Sequence, residues 1–298
     1  MYNLLNSDHF VLFGHSFKNN ISFSLFGKQF VIYYYAIAIV TGIIACTLVA
    51  RAMMKKRGLK TDLLIDLLIG IIPLAIIGAR LWYVLFDIKS FLGYGSFWKD
   101  FVKMISIRDG GLAIYGGVIG GALGIIIVCK IHKVNMFKVL DIGATLLPLG
   151  QAIGRWGNFF NQEVYGQTIT NPTWQFFPIA VEIDTSGAIV WHQALFFYES
   201  FLNILAFIGL YIFFFKRKGT TNGYSVALYF ISYGLIRAIL ENFRESQYNL
   251  PLFGISGLKI QAMVLVSIGL IIAGVVILIC LLQYDKKNKV KITDEGEV

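Results

Sequence analysis

The stretch Gly154-Arg155-Trp156-Gly157-Asn158-Phe159-Phe160-Asn161-Gln162-Glu163-Val164-Tyr165-Gly166 closes a strongly apolar run that starts near Val139. A run of that length is built to cross a bilayer, yet its end gathers an arginine, two asparagines, a glutamine and a glutamate. Such groups at membrane depth are costly unless they pair or bind something. Three glycines in the same stretch permit sharp turns and close backbone approach. Two readings stand: a polar loop held by its own hydrogen bonds, or a site that receives a polar ligand.

The rest of the chain supports a membrane setting for this conflict. Of 298 residues 57% are hydrophobic and 14% charged, with a mean hydropathy of +0.69; a soluble domain carries ~25% charged residues. The fold class expected is an all-α integral membrane protein with seven transmembrane helices. Apolar runs of ~20 residues cover a hydrocarbon core of ~30 Å. They fall at Gln29–Ala50, Leu63–Phe86, Gly110–Cys129, Val139–Phe159, Gln193–Phe215, Asn222–Phe243 and Ile260–Gln283. Residues 1–285 read as one polytopic membrane domain and 286–298 as a charged tail. Cys46, Cys129 and Cys280 lie inside apolar runs without CxxC spacing, so they read as small buried hydrophobes.

Lysine and arginine set the orientation. The loops after spans one, three and five, with the tail, hold 15 of them; the N-terminal segment and the other loops hold 8. Positive charge favours the cytoplasmic side, so the N-terminus is expected outside and the C-terminus in the cytoplasm. The net charge of +9 is then a matter of topology and anionic lipid, with no nucleic acid required. Met1–Lys28 lacks a basic n-region, so no cleavable signal peptide is expected. Of the two long external loops, Asp87–Asp109 is aromatic and partly charged. The other, Asn161–Trp191, alternates apolar and polar residues at Ile179–Asp184, the pattern of a short strand.

On this topology the buried arginines lie at one depth. Arg80 and Arg237 sit about six residues, ~9 Å at helical rise, from the outer ends of spans two and six, and Arg155 lies near the outer end of span four. Glu199 and Glu241 are their nearest span carboxylates, while Asp141 lies near an inner helix end. Three arginines against two carboxylates imply a positive surplus and an anion to meet it. A phospholipid headgroup fits, because guanidinium forks match phosphate bidentately. Tyr233, Arg237 and Glu241 recur at i, i+4, i+8, along one helical face, with Arg244 seven residues after Arg237; a self-satisfied ladder is the bland alternative. Tyr35 and Tyr115 fall in the outer parts of spans one and three. Gly116-Gly117 and Gly120-Gly121 after Tyr115 point to close helix packing first, and to room for an acyl chain second. No His/Cys/Asp spacing or phosphate-cradling loop calls for a metal or nucleotide cofactor.

The pattern Gly-Arg-x-Gly-Asn-Phe-x-Asn-x-Glu-x-x-Gly resembles the signature of the bacterial prolipoprotein diacylglyceryl transferases. Tyr35 resembles the family's first-span tyrosine; Arg155, Asn158, Asn161, Glu163 and Gly166 match the signature itself. His192 with Tyr198-Glu199, and Tyr233-Gly234, Arg237, Glu241 and Arg244, resemble its fifth- and sixth-span motifs. Gln261 resembles a glutamine that opens the last span. One departure stands out: where the family commonly has His-Gly-Gly, with the histidine a proposed base, this chain has Tyr115-Gly116-Gly117.

The resemblance implies an enzyme of the bacterial cytoplasmic membrane, with its active site towards the outer leaflet. The implied substrates are phosphatidylglycerol and prolipoprotein signal peptides that carry a lipobox cysteine, within a setting of membrane lipids. The cysteine sulfur would bond to the glyceryl carbon and glycerol phosphate would leave. Arg155 and Arg237 are then the candidates for stabilising the departing phosphate, with Asn158 as a neutral donor and Glu163 and Glu241 as orienters of the arginines. Tyr115 or Tyr35 is the proton relay. Asn161, Gly166, Glu199, Tyr233, Arg80 and Arg244 complete the expected substrate-binding set. The rival reading is an anion or phospholipid transporter that uses the same arginine pocket.

Overall fold

The computed structural model describes residues 9–93, 96–107, 110–185, 188–217, 221–244 and 262–294. In chain order these form strands β1 (His9–Leu12), β2 (His15–Lys18), β3 (Asn20–Leu25) and β4 (Lys28–Tyr33), then helices α1 (Tyr34–Lys56), α2 (Leu63–Phe86) and α3 (Phe97–Ile105). There follow α4 (Ile114–Ile131), α5 (Met136–Phe160), β5 (Ala180–Thr185), β6 (Ala188–Gln193), α6 (Leu195–Lys216), α7 (Tyr224–Leu240) and α8 (Ala262–Asp294). Seven of the helices, all but α3, are long and apolar enough to cross a membrane. The all-α expectation is corrected by three two-stranded antiparallel hairpins: β1–β2, β3–β4 and β5–β6.

The second span matches its expected limits at Leu63–Phe86, whereas the first does not. Gln29–Tyr33 are strand residues, and the helix starts at Tyr34 and runs on to Lys56. A backbone bond from Tyr34 N to Asn19 O closes the root of the β3–β4 hairpin and fixes that switch. The strand expected around Ile179–Asp184 is β5. The expected start of the last span at Ile260, and Gln261, lie outside the described residues.

The chain divides into two compact units, residues 51–139 and the remainder. In the first, α4 packs on α2 through glycines. A Cβ at Gly116 would lie 2.1 Å from Gly78 O, one at Gly120 2.0 Å from Leu74 O, and one at Gly124 2.6 Å from Gly70 O. The glycine run therefore serves helix packing. Arg80 is buried here and donates to four backbone carbonyls: Met104 (2.7 Å), Lys103 (2.9 Å), Gly110 (2.8 Å) and Gly111 (2.9 Å). It ties the end of α3 to the start of the segment before α4, and these bonds use four of its five N–H groups.

In the second unit an aromatic core joins the hairpins to the helix ends. Phe10 of β1, Phe159 of α5, Tyr165, Val181 and Ile183 of β5, and Phe196 of α6 are buried together. The turn of β1–β2 is tied to β5 by Gly14 N donating to Glu182 Oε2 at 2.7 Å. This core holds the segment that follows α5. At the other end of the same helices, fully buried Asp141 of α5 accepts from Gly223 N (2.8 Å), Ser225 N (3.0 Å) and Val226 N (3.4 Å). It satisfies the open amides at the start of α7 and lies favourably at the positive end of that helix.

Candidate functional site

The residues of the opening stretch are helical further than the sequence implies: α5 continues through Gly154 to Phe160. The chain then turns, with Asn161 N on Gly157 O and Glu163 N on Asn158 O, both at 3.0 Å. The turn's positive φ angles fall on Gln162 (52°) and Val164 (56°), not on the glycines. Gly157 and Gly166 act instead through close approach. A Cβ at Gly157 would lie 2.5 Å from the Tyr35 ring, and one at Gly166 would lie 2.7 Å from Gln193 Cβ and 2.9 Å from Phe243 O. Gly154 meets nothing.

Three helices then bring one polar network together. Arg155 of α5 donates from Nη2 to Glu199 Oε1 of α6 at 2.6 Å, and from Nη1 to Asn158 Oδ1 at 3.2 Å. Arg237 of α7 donates to Glu199 Oε2 at 3.4 Å and to Glu241 Oε2 at 2.8 Å. Arg244 Nε lies 3.5 Å from the same Glu241 oxygen, within ion-pair range but outside hydrogen-bond geometry. Glu163 accepts from Asn158 (3.0 Å) and Asn161 (3.3 Å). It therefore orients the asparagines directly, where the sequence reading had it orient an arginine. Burial and the neighbouring Arg237 pull the pKa of Arg244 below the ordinary guanidinium value.

Of the three arginines read together from the sequence, Arg155 and Arg237 meet Glu199 and Glu241 here, with Arg244 beside Glu241, while Arg80 serves its own carbonyls. Donors remain all the same. The described bonds use two of the five N–H groups of Arg155 and two of those of Arg237. Arg237 Nε and Glu241 Oε1 are buried without a hydrogen-bond partner among the described residues. Buried polar atoms are nearly always satisfied, so these two retain bonding capacity within the network.

The remaining candidates are dispersed. Tyr35 sits in the first turn of α1 with its ring over Gly157. Tyr233 stacks on Tyr229 with ring centroids 5.6 Å apart; among the described residues the rung of the expected ladder that forms is Arg237–Glu241. Tyr115 belongs to the other compact unit, as Arg80 does. It stands in the first turn of α4, more than half exposed, with its ring 6.3 Å from that of Trp82. His192, on β6, pairs through Nδ1 with Gly166 O at 2.9 Å and lies with its ring centroid 4.4 Å from that of Tyr165, so it supports the loop.

An apolar cavity of about 460 Å³ opens between α1, α5 and α6. Tyr34, Ile37, Thr41, Ile153, Trp156 and Ile204 line it. No sequence pattern announces it, because its walls come from three separate spans.

The fold and network define a polytopic membrane protein with a buried arginine–carboxylate site at the ends of three helices. The family model described as prolipoprotein diacylglyceryl transferase matches residues 20–280. A Finegoldia magna protein named phosphatidylglycerol–prolipoprotein diacylglyceryl transferase is 38% identical over 278 residues, covering 93% of this chain and 99% of its own. A Clostridium perfringens protein of the same name, numbered 1, is 36% identical, covering 91% and 97%. One from Streptococcus pneumoniae is 35% identical, covering 88% and 94%. The chain belongs to the prolipoprotein diacylglyceryl transferase family.

Proposed function

We propose that the Arg155–Glu199–Arg237 network is where this chain transfers the diacylglyceryl group of phosphatidylglycerol to a prolipoprotein. The observation that carries the reading is a pair of arginines bridged by one buried carboxylate, with guanidinium donors left over. The relatives' names supply the substrates and leave a transporter reading without support. In the reaction the acceptor is the lipobox cysteine. Its sulfur forms a bond to the terminal glyceryl carbon, that carbon's bond to phosphate oxygen breaks, and glycerol phosphate leaves with the electron pair. The thiol proton departs separately.

The leaving phosphate gains negative charge as the bond breaks. Donors fixed in advance favour that charge over the diester ground state. Arg155 and Arg237 act on the phosphate, Glu199 and Glu241 hold their forks in place, and Glu163 aligns Asn158 and Asn161. A thiol with free pKa ~8.5 must ionise to attack, and the arginines favour its thiolate. Tyr115, standing where the family has a histidine, and Tyr35 are the candidates for relaying the proton. The apolar cavity beside Trp156 takes an acyl chain of the donor, since apolar walls and a few hundred cubic ångströms suit such a ligand. Arg244, Tyr233 and Gly166 shape the binding surface. The site belongs to the outer leaflet of the cytoplasmic membrane, a reading that rests on the basic-residue asymmetry.

The experiment is direct. Purified protein with labelled phosphatidylglycerol and a lipobox peptide is expected to give a thioether-linked diacylglyceryl peptide and glycerol phosphate. Movement of lipid between leaflets with no thioether would overturn the proposal.

A further inference from the structure

The β3–β4 hairpin presents an apolar face that the described residues of its unit leave exposed. Its register pairs Ile21 with Ile32, Phe23 with Phe30, and Leu25 with Lys28. Because cross-strand partners share a face and alternate residues along a strand share a face, Ile21, Phe23, Leu25, Phe30 and Ile32 lie on one side. All five are exposed, by 42 to 50%, and the Phe23 and Phe30 rings stack with centroids 5.7 Å apart. The opposite face carries Asn20, Ser22, Ser24 and Gln29, with Val31 and Tyr33 near the root. An exposed face this apolar on a two-stranded hairpin marks a docking surface.

A second, independent observation says what covers it. The apolar part of α1 runs from Tyr34 to Ala50 before Arg51, Lys55 and Lys56 begin. Those seventeen residues span about 25 Å at helical rise, the short end of the ~17–25 residues that cross a hydrocarbon core, so none is left over to carry the helix beyond it. Phe30–Tyr33 lead directly into its first turn. The root of the hairpin is therefore at the membrane boundary. A two-stranded hairpin keeps open edges with unpaired N–H and C=O groups, which hydrocarbon does not tolerate. It must then lie in the headgroup region with its apolar side towards the acyl chains.

We infer that β3–β4 is an interfacial membrane anchor: Ile21, Phe23, Leu25, Phe30 and Ile32 rest on the bilayer at the end of α1 opposite Arg51, with Lys28 at the turn within reach of lipid phosphates. The partner is the phospholipid surface itself. Amphipathic elements of this kind bind in proportion to their buried apolar area, and aromatic residues are favoured at that depth. The inference rests on α1 crossing the membrane and is independent of the transfer chemistry.

The test uses the full chain reconstituted in vesicles containing phosphatidylglycerol. A photoreactive p-benzoylphenylalanine replaces Phe23 on the apolar face or Ser24 on the polar face, and the mass of the irradiated chain is read. Phospholipid-mass adducts at position 23 are expected to exceed those at 24 by about fivefold or more. The pair Phe30 and Gln29 repeats the comparison, so that a single misfolded variant does not decide it. Equal lipid yields on the two faces, or adducts from 23 and 30 to a second copy of the chain or to an added lipobox peptide, would overturn the inference. Retained transferase activity with no lipid adduct at either apolar position would overturn it as well.

Discussion

Arg155 and Arg237, on different helices, share the two oxygens of one carboxylate: Glu199 accepts from the first at 2.6 Å and from the second at 3.4 Å. The spacing of the two guanidinium groups is thereby set before any phosphate arrives. Glu199→Gln keeps the shape and removes the charge that holds both. Hydrogen bonds to charged groups are worth about 1.5–3 kcal/mol, so kcat/KM is expected to fall about 10- to 100-fold. Steady-state kinetics with a lipobox peptide would measure this, and unchanged turnover would show that the bridge is dispensable.

Arg155→Lys is expected to lose most activity while the protein still inserts and purifies normally. Lysine offers a point charge in place of a planar fork and cannot serve Glu199, Asn158 and a phosphate together. Near-normal turnover in this variant would remove Arg155 from the phosphate.

Tyr115, which by resemblance stands where the family has a histidine, is more than half exposed. If its hydroxyl relays the thiol proton, Tyr115→Phe lowers kcat, and the loss shrinks as pH rises because more of the substrate thiol is already ionised. Tyr115→His is expected to retain activity. A Phe variant that tracks the parent from about pH 6 to 9 would pass the relay to Tyr35.

The orientation has its own check. A cysteine placed at Asn171 is expected to react with an impermeant reagent added outside intact spheroplasts, and a tag after Val298 to be reached only after lysis. The reverse pattern would move the site to the other leaflet.

Arg80 gives a contrasting expectation. Its four carbonyl partners make it a clamp for the segment between α3 and α4. Arg80→Lys is expected to lower thermal stability through several lost charge-assisted bonds of about 1.5–3 kcal/mol each. A thermal melt in detergent reads that directly. An unchanged melting temperature combined with a raised KM for phosphatidylglycerol would instead put Arg80 on the lipid.

What the sequence made legible followed from length and period. Leu63–Phe86 was readable because an apolar run either spans a bilayer or does not, and the alternation at Ile179–Asp184 was enough for β5. The hairpins before α1 were missed, although Ile21-Ser22-Phe23-Ser24-Leu25 alternates and Gly27 follows, because the apolar strand Phe30–Tyr33 merges without a break into the helix. In the site, Arg155, Glu199, Arg237 and Glu241 could be found as charges where charges are costly. Their pairing could not, since Glu199 is 44 residues from one partner and 38 from the other. Arg80 looked equivalent to the other two arginines; only the carbonyls of a distant loop set it apart. The capping role of Asp141 was hidden for the same reason, its amide partners lying more than 80 residues on.

That cap bears on how the chain is assembled. The helices that carry Arg155 and Arg237 are the two least apolar of the seven spans, so each enters lipid with little to spare. Synthesis delivers Asp141 first. When Gly223, Ser225 and Val226 emerge, a carboxylate already stands ready for their amides, and the later helix can lodge against the earlier one as it leaves the insertion machinery. The order of residues along the messenger thus matches the order in which the membrane needs them.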